Sequence, residues 1–191
     1  MPPTSDPLAL MLAHDAWATR RMLDMCRALS NDQFHQKFDI GLGSLHDNLT
    51  HIIGAMRRWT DRLAGRPPRP MLAAPKEFAH LAGERVDRAP DQLIALLNEA
   101  AADLAAVAEQ CRQTGLDKTL VLDWPGKDGR KKRYTFTRAA ALVHICTHSM
   151  HHRAQCTNML KQLKVPGLSE RLPDLSAVDW QAETELPPVE L

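Results

Sequence analysis

The chain has 191 residues, with 24 lysines and arginines against 23 aspartates and glutamates, for a formal net charge of +1. Near neutrality argues against a general nucleic-acid binder and against a polybasic membrane-surface protein. With 44% hydrophobic and 25% charged residues, the composition is that of a soluble globular protein, one generous domain at this length.

The N-terminal stretch MPPTSDPLALMLAHDAW lacks a basic start and a long apolar run, so no signal peptide is expected. No window approaches the roughly 18 apolar residues of a membrane span. Cys26, Cys111, Cys146 and Cys156 show no C-x-x-C spacing. They are expected as reduced thiols in a cytoplasmic protein. Ala, Leu, Met and Arg abound while strand formers are scarce, which predicts an all-α architecture.

Four long helices are predicted in chain order. The first runs from about Leu8 to Leu29, with Met11, His14, Ala18, Met22, Met25 and Leu29 on one stripe, until Ser30-Asn31-Asp32 breaks it. The second runs from about Leu45 to Leu63, opened by Ser44 and Asp47 in a capping-box pattern and closed by Gly65 and Pro67-Pro68. The third runs from about Asp91 to Gln113, with Pro90 in its first turn and Gly115 beyond its end. The fourth runs from about Arg138 to Lys164, capped by Thr135 or Thr137 and stopped by Pro166-Gly167.

The connections carry information as well. The link from Ala64 to Pro90 spans 27 residues with five prolines, long enough to return along a bundle. The second and third helices are therefore expected to run parallel. Thr119 to Trp124 and Arg133 to Phe136 flank Pro125-Gly126-Lys127-Asp128-Gly129, which predicts a small β-hairpin between the third and fourth helices. Residues 1–167 form the expected domain. Residues 168–191 form a proline- and acid-rich tail, expected to lie on the surface through Leu172, Leu175 and Trp180 and then fray.

The densest chemistry is H-I-C-T-H-S-M-H-H-R-A-Q, from His144 to Gln155. His144, His148 and His152 are spaced four apart, so they lie one above another on a helix face. With His144 at 0° and about 100° per residue, the apolar face of the fourth helix centres near about 105°. His152 falls at about 80° and His148 at about 40°, facing inward, while His144 and His151 lie on the flank. Burying two neutral imidazoles without partners costs a few kcal/mol, and a metal ion satisfies both. Such a site needs a third ligand. His46 and His51 on the second helix are both available, at similar angles to its apolar face, and the pattern does not choose between them. Gly54 and Ala55 leave room beside His51, and His14 on the first helix is a further donor. Asp47 and Asp15 are the carboxylates available as a general base. Arg153, at about 180°, suits either an anionic substrate or a salt bridge. Arg130-Lys131-Lys132-Arg133 is one short basic run on the hairpin, expected as a solvated turn; no nucleic-acid partner is expected.

These residues resemble a known family. Trp17-Ala18-Thr19-Arg20-Arg21-Met22 is similar to the W-x-N-x-x-L stretch of the DinB/YfiT-like putative metal-dependent proteins, with Thr19 and Met22 departing from it. Gly43 to Ile52, continued by Trp59 and Arg62, resembles the family's second block, in which the histidine matching His51 is a metal ligand. His148-Ser149-Met150-His151-His152-Arg153-Ala154-Gln155 resembles its H-x-x-H-H-R-G-Q signature, with ligands matching His148 and His152. Ala154 replaces the usual glycine and adds a methyl where helices can pack closely. The resemblance implies an up-down-down-up four-helix bundle, often a homodimer, with a three-histidine site for zinc or nickel. Relatives include thiol-dependent S-transferases and a thiol-dependent isomerase. The expected partner is thus a small-molecule substrate, a thiol among the choices, with no membrane partner. The alternative is a non-catalytic metal-binding or stress-response protein whose metal is structural. His144, His14 and Asp47 are the expected neighbours of the metal ligands or of the substrate.

Overall fold

The computed structural model describes residues 4–73, 83, 86–125, 130–165 and 174–188. Its elements in chain order are α1 (Pro7–Cys26), α2 (Asn31–His35), α3 (Leu45–Leu63), α4 (Pro90–Thr114), β1 (Thr119–Pro125), β2 (Lys131–Thr137), α5 (Arg138–Gln162) and α6 (Ala177–Thr184). The long helices α1, α3, α4 and α5 are the four predicted from periodicity. The hairpin β1–β2 is antiparallel, in register from Thr119 opposite Thr137 to Pro125 opposite Lys131.

Local chemistry sets the helix ends. Asp6 accepts from the Leu8 amide ahead of Pro7, which suits the first turn because it has no N–H to satisfy. The Ser44 hydroxyl accepts from the Asp47 amide, and Thr137, rather than Thr135, caps α5 by accepting from Ala140. Gly115 ends α4 at φ 114°, a conformation that favours glycine.

Two helices were not foreseen. Ser30-Asn31-Asp32, expected as a simple break, starts α2: Ser30 and Gln33 form a reciprocal capping box. The sequence carried that signal, but five residues are too few for periodicity to register. In the tail, Ser176 caps α6 through Asp179, and Trp180, one of the expected anchors, is buried. His14 Nε2 donates to the Leu175 carbonyl at 2.8 Å, tying the tail to α1. Leu172, Pro166, Gly167 and the hairpin loop Gly126-Lys127-Asp128-Gly129 lie outside the described residues.

Helices α3 and α1 each pack against both α4 and α5. Specific contacts give their senses. Asn48, early in α3, reaches Met159 late in α5, whereas Trp59, late in α3, stacks on His144 early in α5, so the two are antiparallel. Arg27, just after α1, pairs with Asp91 at the start of α4, so these are antiparallel too. Along α1 and α5, Met11 meets Cys146 and Asp15 meets Arg153, so these run parallel. The core between them holds Met22, Leu23, Leu45, Leu49, Ile52, Leu93, Leu97, Leu142, Ile145 and Met159, all nearly inaccessible. Burying side chains of this size stabilises by about 1.5–3 kcal/mol each. All four cysteines are buried and free. Among the described residues no helix is long and apolar enough to cross a membrane.

After α3 the chain folds back. Buried Asp61 accepts from the Arg69 backbone N–H at 3.0 Å and its Nε at 2.8 Å. This brings Leu72 against Gly54, where any Cβ would stand 3.3 Å from the Leu72 Cβ. The connection thus packs on Gly54, which with Ala55 still borders open space beside His51.

Candidate metal centre

His51 on α3 and His148 and His152 on α5 meet at the seam between the two helices. Their ligand atoms all lie within 4.8 Å of one another. His51 Nε2 is 3.2 Å from His148 Nε2. As the helical wheel predicts, His148 and His152 turn inward, and His152 is 8% exposed.

The hydrogen bonds around the rings fix which nitrogens face the centre. His51 Nδ1 donates to the Ala73 carbonyl at 2.9 Å, which leaves Nε2 as a lone pair. His152 Nδ1 donates to Gln155 Oε1 at 2.8 Å and to Asn48 Oδ1 at 3.1 Å, leaving its Nε2 likewise free. Oriented imidazoles with oxygen acceptors behind them are the usual supports of metal-ligating histidine. Gly41, at φ 54°, backs this layer: a Cβ there would stand 2.3 Å from Gln155 Oε1 and 2.6 Å from Asn48 Oδ1.

The donors fit a divalent ion. Nitrogen–zinc bonds of about 2.0–2.1 Å put neighbouring tetrahedral donors about 3.3 Å apart, close to the observed His51–His148 spacing. Imidazole suits zinc, nickel, copper and iron, so the ligands alone do not select the metal.

The electrostatics agree. Burial pushes the His148 imidazole down to about 3, helped by the like-charged forms of His152, His51, His144 and His151. Burial first, then His51, brings His152 down to about 4, against the Gln155 hydrogen bond. Burial also lowers His51. All three are neutral at pH 7 and ready to donate lone pairs. In the unfolded chain these groups titrate near 6.5, so below that pH the unfolded state binds more protons. The metal-free protein is expected to keep its stability above about pH 6.5 and to lose it progressively toward pH 4. Thermal unfolding with chelator at pH 7.5 and pH 5 checks this. An unchanged Tm would contradict the buried neutral state.

The open side of the centre meets a cavity of about 510 Å³ bounded by His51, His148, His144, Trp59, Arg58 and Arg62. The hairpin forms its far wall. Side chains alternate across a strand, so Leu122 and Trp124 share a face with their cross-strand neighbour Tyr134 and with Phe136. Val121, on the other face, is 61% exposed.

Most of the other predicted site residues lie elsewhere, His144 being the exception. His46, the alternative ligand, is turned away from the centre and stacks on His35. Asp47 binds His46 Nδ1 at 3.2 Å and Lys37 Nζ at 2.7 Å. Burial opposes its ionisation, but hydrogen bonds from His46, Lys37 and Ser44 override it and hold the carboxyl far below its ordinary range. His14 ties down the tail. Asp15 is buried against Arg153, so Arg153 is the salt-bridge residue and neither serves the cavity. His144 lines the cavity, its ring 5.5 Å from His148 and 5.0 Å from Trp59. His151 is exposed and accepts from the Gln155 side-chain amide at 2.9 Å. Ala154 is exposed. On the hairpin, Arg133 pairs with Asp123 at 2.7 and 2.8 Å. The Ala73 carbonyl and the hairpin aromatics were missed as site components; nothing in the periodicity marks them.

A helical scaffold with three histidines converging at the seam of two helices defines a helical protein with a candidate metal site. The chain belongs to the DinB family, whose family model matches residues 1–176. No curated protein matches the chain.

Proposed function

We propose that this protein is a metal-dependent enzyme of the thiol S-transferase type, acting on a small molecule in the cavity beside His51, His148 and His152. The observation that carries the proposal is the opening of a neutral three-histidine cluster onto a large aromatic-walled cavity. Zinc or nickel is the proposed ion. A divalent ion held there supplies Lewis acidity, lowering the pKa of a thiol or water beside it.

The chain's own residues supply binding and orientation. Trp59, Trp124, Tyr134 and Phe136 give an apolar wall for the body of the substrate. Arg62 lies over the Trp59 ring, 5.0 Å from its centroid. Its Nε is buried with no hydrogen-bond partner among the described residues. Burial, with Arg58 nearby and Asp61 opposing, lowers the Arg62 guanidinium to about 10, so it remains charged at pH 7. An anionic group on the substrate satisfies this donor. His144 is the proposed proton acceptor: burial lowers its imidazole, keeping it neutral, and it borders the cavity.

A non-catalytic metal-binding role is favoured by a different observation, the lack of any carboxylate among the described residues lining the cavity. The test is turnover of zinc- or nickel-loaded protein with a carboxylate-bearing thiol and an electrophile. The expected result is metal-dependent turnover, with Arg62→Met raising KM about tenfold, a loss of about 1.4 kcal/mol of binding. No turnover across a panel of thiols at full metal occupancy would favour the non-catalytic role.

A further inference from the structure

A second group of ligating side chains lies on the other side of α3. His46 is five residues before His51, about 140° round the helix at 100° per residue. It is 2% exposed and stacks on His35 of α2, with ring centroids 4.5 Å apart and planes inclined by 26°. Phe34 packs edge-on against both rings, at 5.5 Å each. Asp87, just before α4, completes the group, and the ligand atoms of His35, His46 and Asp87 lie within 4.8 Å of one another.

Hydrogen bonding fixes the protons on both rings. His35 Nδ1 is 2.9 Å from the Asn31 carbonyl, which only accepts, so that nitrogen carries the hydrogen. His46 Nδ1 is 3.2 Å from Asp47 Oδ1, again an acceptor. The Arg88 backbone N–H points at His46 Nε2 at 3.4 Å, which marks that nitrogen as a lone pair. Both Nε2 atoms lie beside the same oxygen: Asp87 Oδ1 stands 2.8 Å from His35 Nε2 and 3.5 Å from His46 Nε2, and a cation there would take the lone pair that the long Arg88 contact now engages. Two lone pairs facing a carboxylate oxygen repel unless positive charge lies among them. A cation among the three groups relieves both contacts.

We infer that His35 Nε2, His46 Nε2 and Asp87 Oδ1 form a second divalent-cation site, of the two-histidine, one-carboxylate kind that takes zinc. Asp47 is the carboxylate behind the ligand His46, and Lys37 and Ser44 hold Asp47 in turn. The ion joins α2, the first turn of α3 and the chain entering α4. It closes the connection between α3 and α4, so binding stabilises the fold.

The test titrates chelator-stripped full chain with zinc by calorimetry. Wild type is expected to take two equivalents. The variant His148→Ala/His152→Ala, which lacks the first cluster, is expected to keep one equivalent and a zinc-dependent rise in Tm. Adding Asp87→Asn or His35→Ala should weaken that remaining site at least about tenfold and abolish the rise. Asp87 is 67% exposed, so Asp87→Asn leaves the fold intact; placed alone in wild type, it should lower two equivalents to one, a check that does not need the multiple variant to fold. Zinc binding that survives both Asp87→Asn and His35→Ala unchanged, or a single equivalent in wild type that only the His148 and His152 changes remove, overturns the second site. A single equivalent removed by Asp87→Asn alone upholds it and refutes the first.

Discussion

His148→Ala and His152→Ala are each expected to lose the metal bound at the α3–α5 seam after dialysis, while the helical circular dichroism persists. Each removes one of the three proposed ligands found among the described residues, and two imidazoles no longer enclose an ion. Metal bound at the second cluster is separated by carrying Asp87→Asn in every sample. His51→Ala should behave the same way, because its Nε2 completes the set from the opposite helix. His151→Ala should leave metal content nearly unchanged, since that ring is exposed and bonded to Gln155. Asn48→Ala, which removes one acceptor behind His152, should weaken binding by about 10–100-fold. Elemental analysis reads all of these. Full occupancy in His148→Ala, or loss in His151→Ala equal to that in His148→Ala, would mean that the ligands are other residues.

The largest loss of stability is expected from Arg153→Ala. Its Nη1 bonds Asp15 and also the Thr19 hydroxyl at 3.0 Å, in a setting from which water is excluded. Burial pushes the Asp15 carboxyl above its ordinary 3.8, with Arg153 opposing. Without the guanidinium the burial cost is opposed only by Ser149 and His14, and Asp15 Oδ2 has no hydrogen-bond partner among the described residues. Breaking a buried pair from one side costs about 3–5 kcal/mol. For a chain of this size that is a fall in Tm on the order of 10 °C. The double variant Arg153→Met/Asp15→Leu should recover much of the loss, because it leaves no orphaned charge. Metal occupancy should survive in folded Arg153→Ala, since Arg153 turns toward α1 and not toward the seam. An unchanged Tm would refute the structural role given to the pair.

Several features of the site were legible in the chain. His148 and His152 could be chosen from four clustered histidines because each helical residue turns by a fixed angle, and the apolar residues of the same helix mark the inward side. The cap at Ser44, the pair of candidates that held Thr137, and the hairpin were readable for the same reason: the physics that makes them operates within a few residues. The cluster at His35 was not read, although Ser30 and Gln33 signalled the short helix that carries it.

Periodicity could not choose between His46 and His51. Both lie well off the centre of the apolar face of α3, on opposite flanks, and each flank faces a different neighbour. Which flank meets α5 depends on how two helices are rotated about their own axes, a quantity set by packing across the whole core. Helix packing likewise sends Asp15 to Arg153, while Asp47 turns to Lys37 and to its own neighbour His46, so neither borders the cavity. The Ala73 carbonyl behind His51 depends on the connection folding back through Asp61 and Arg69. The sequence alone therefore determined which residues of one helix turn inward and where helices begin; the tertiary structure decided which partners they meet, because that choice rests on contacts about a hundred residues apart along the chain, such as His51 with His148.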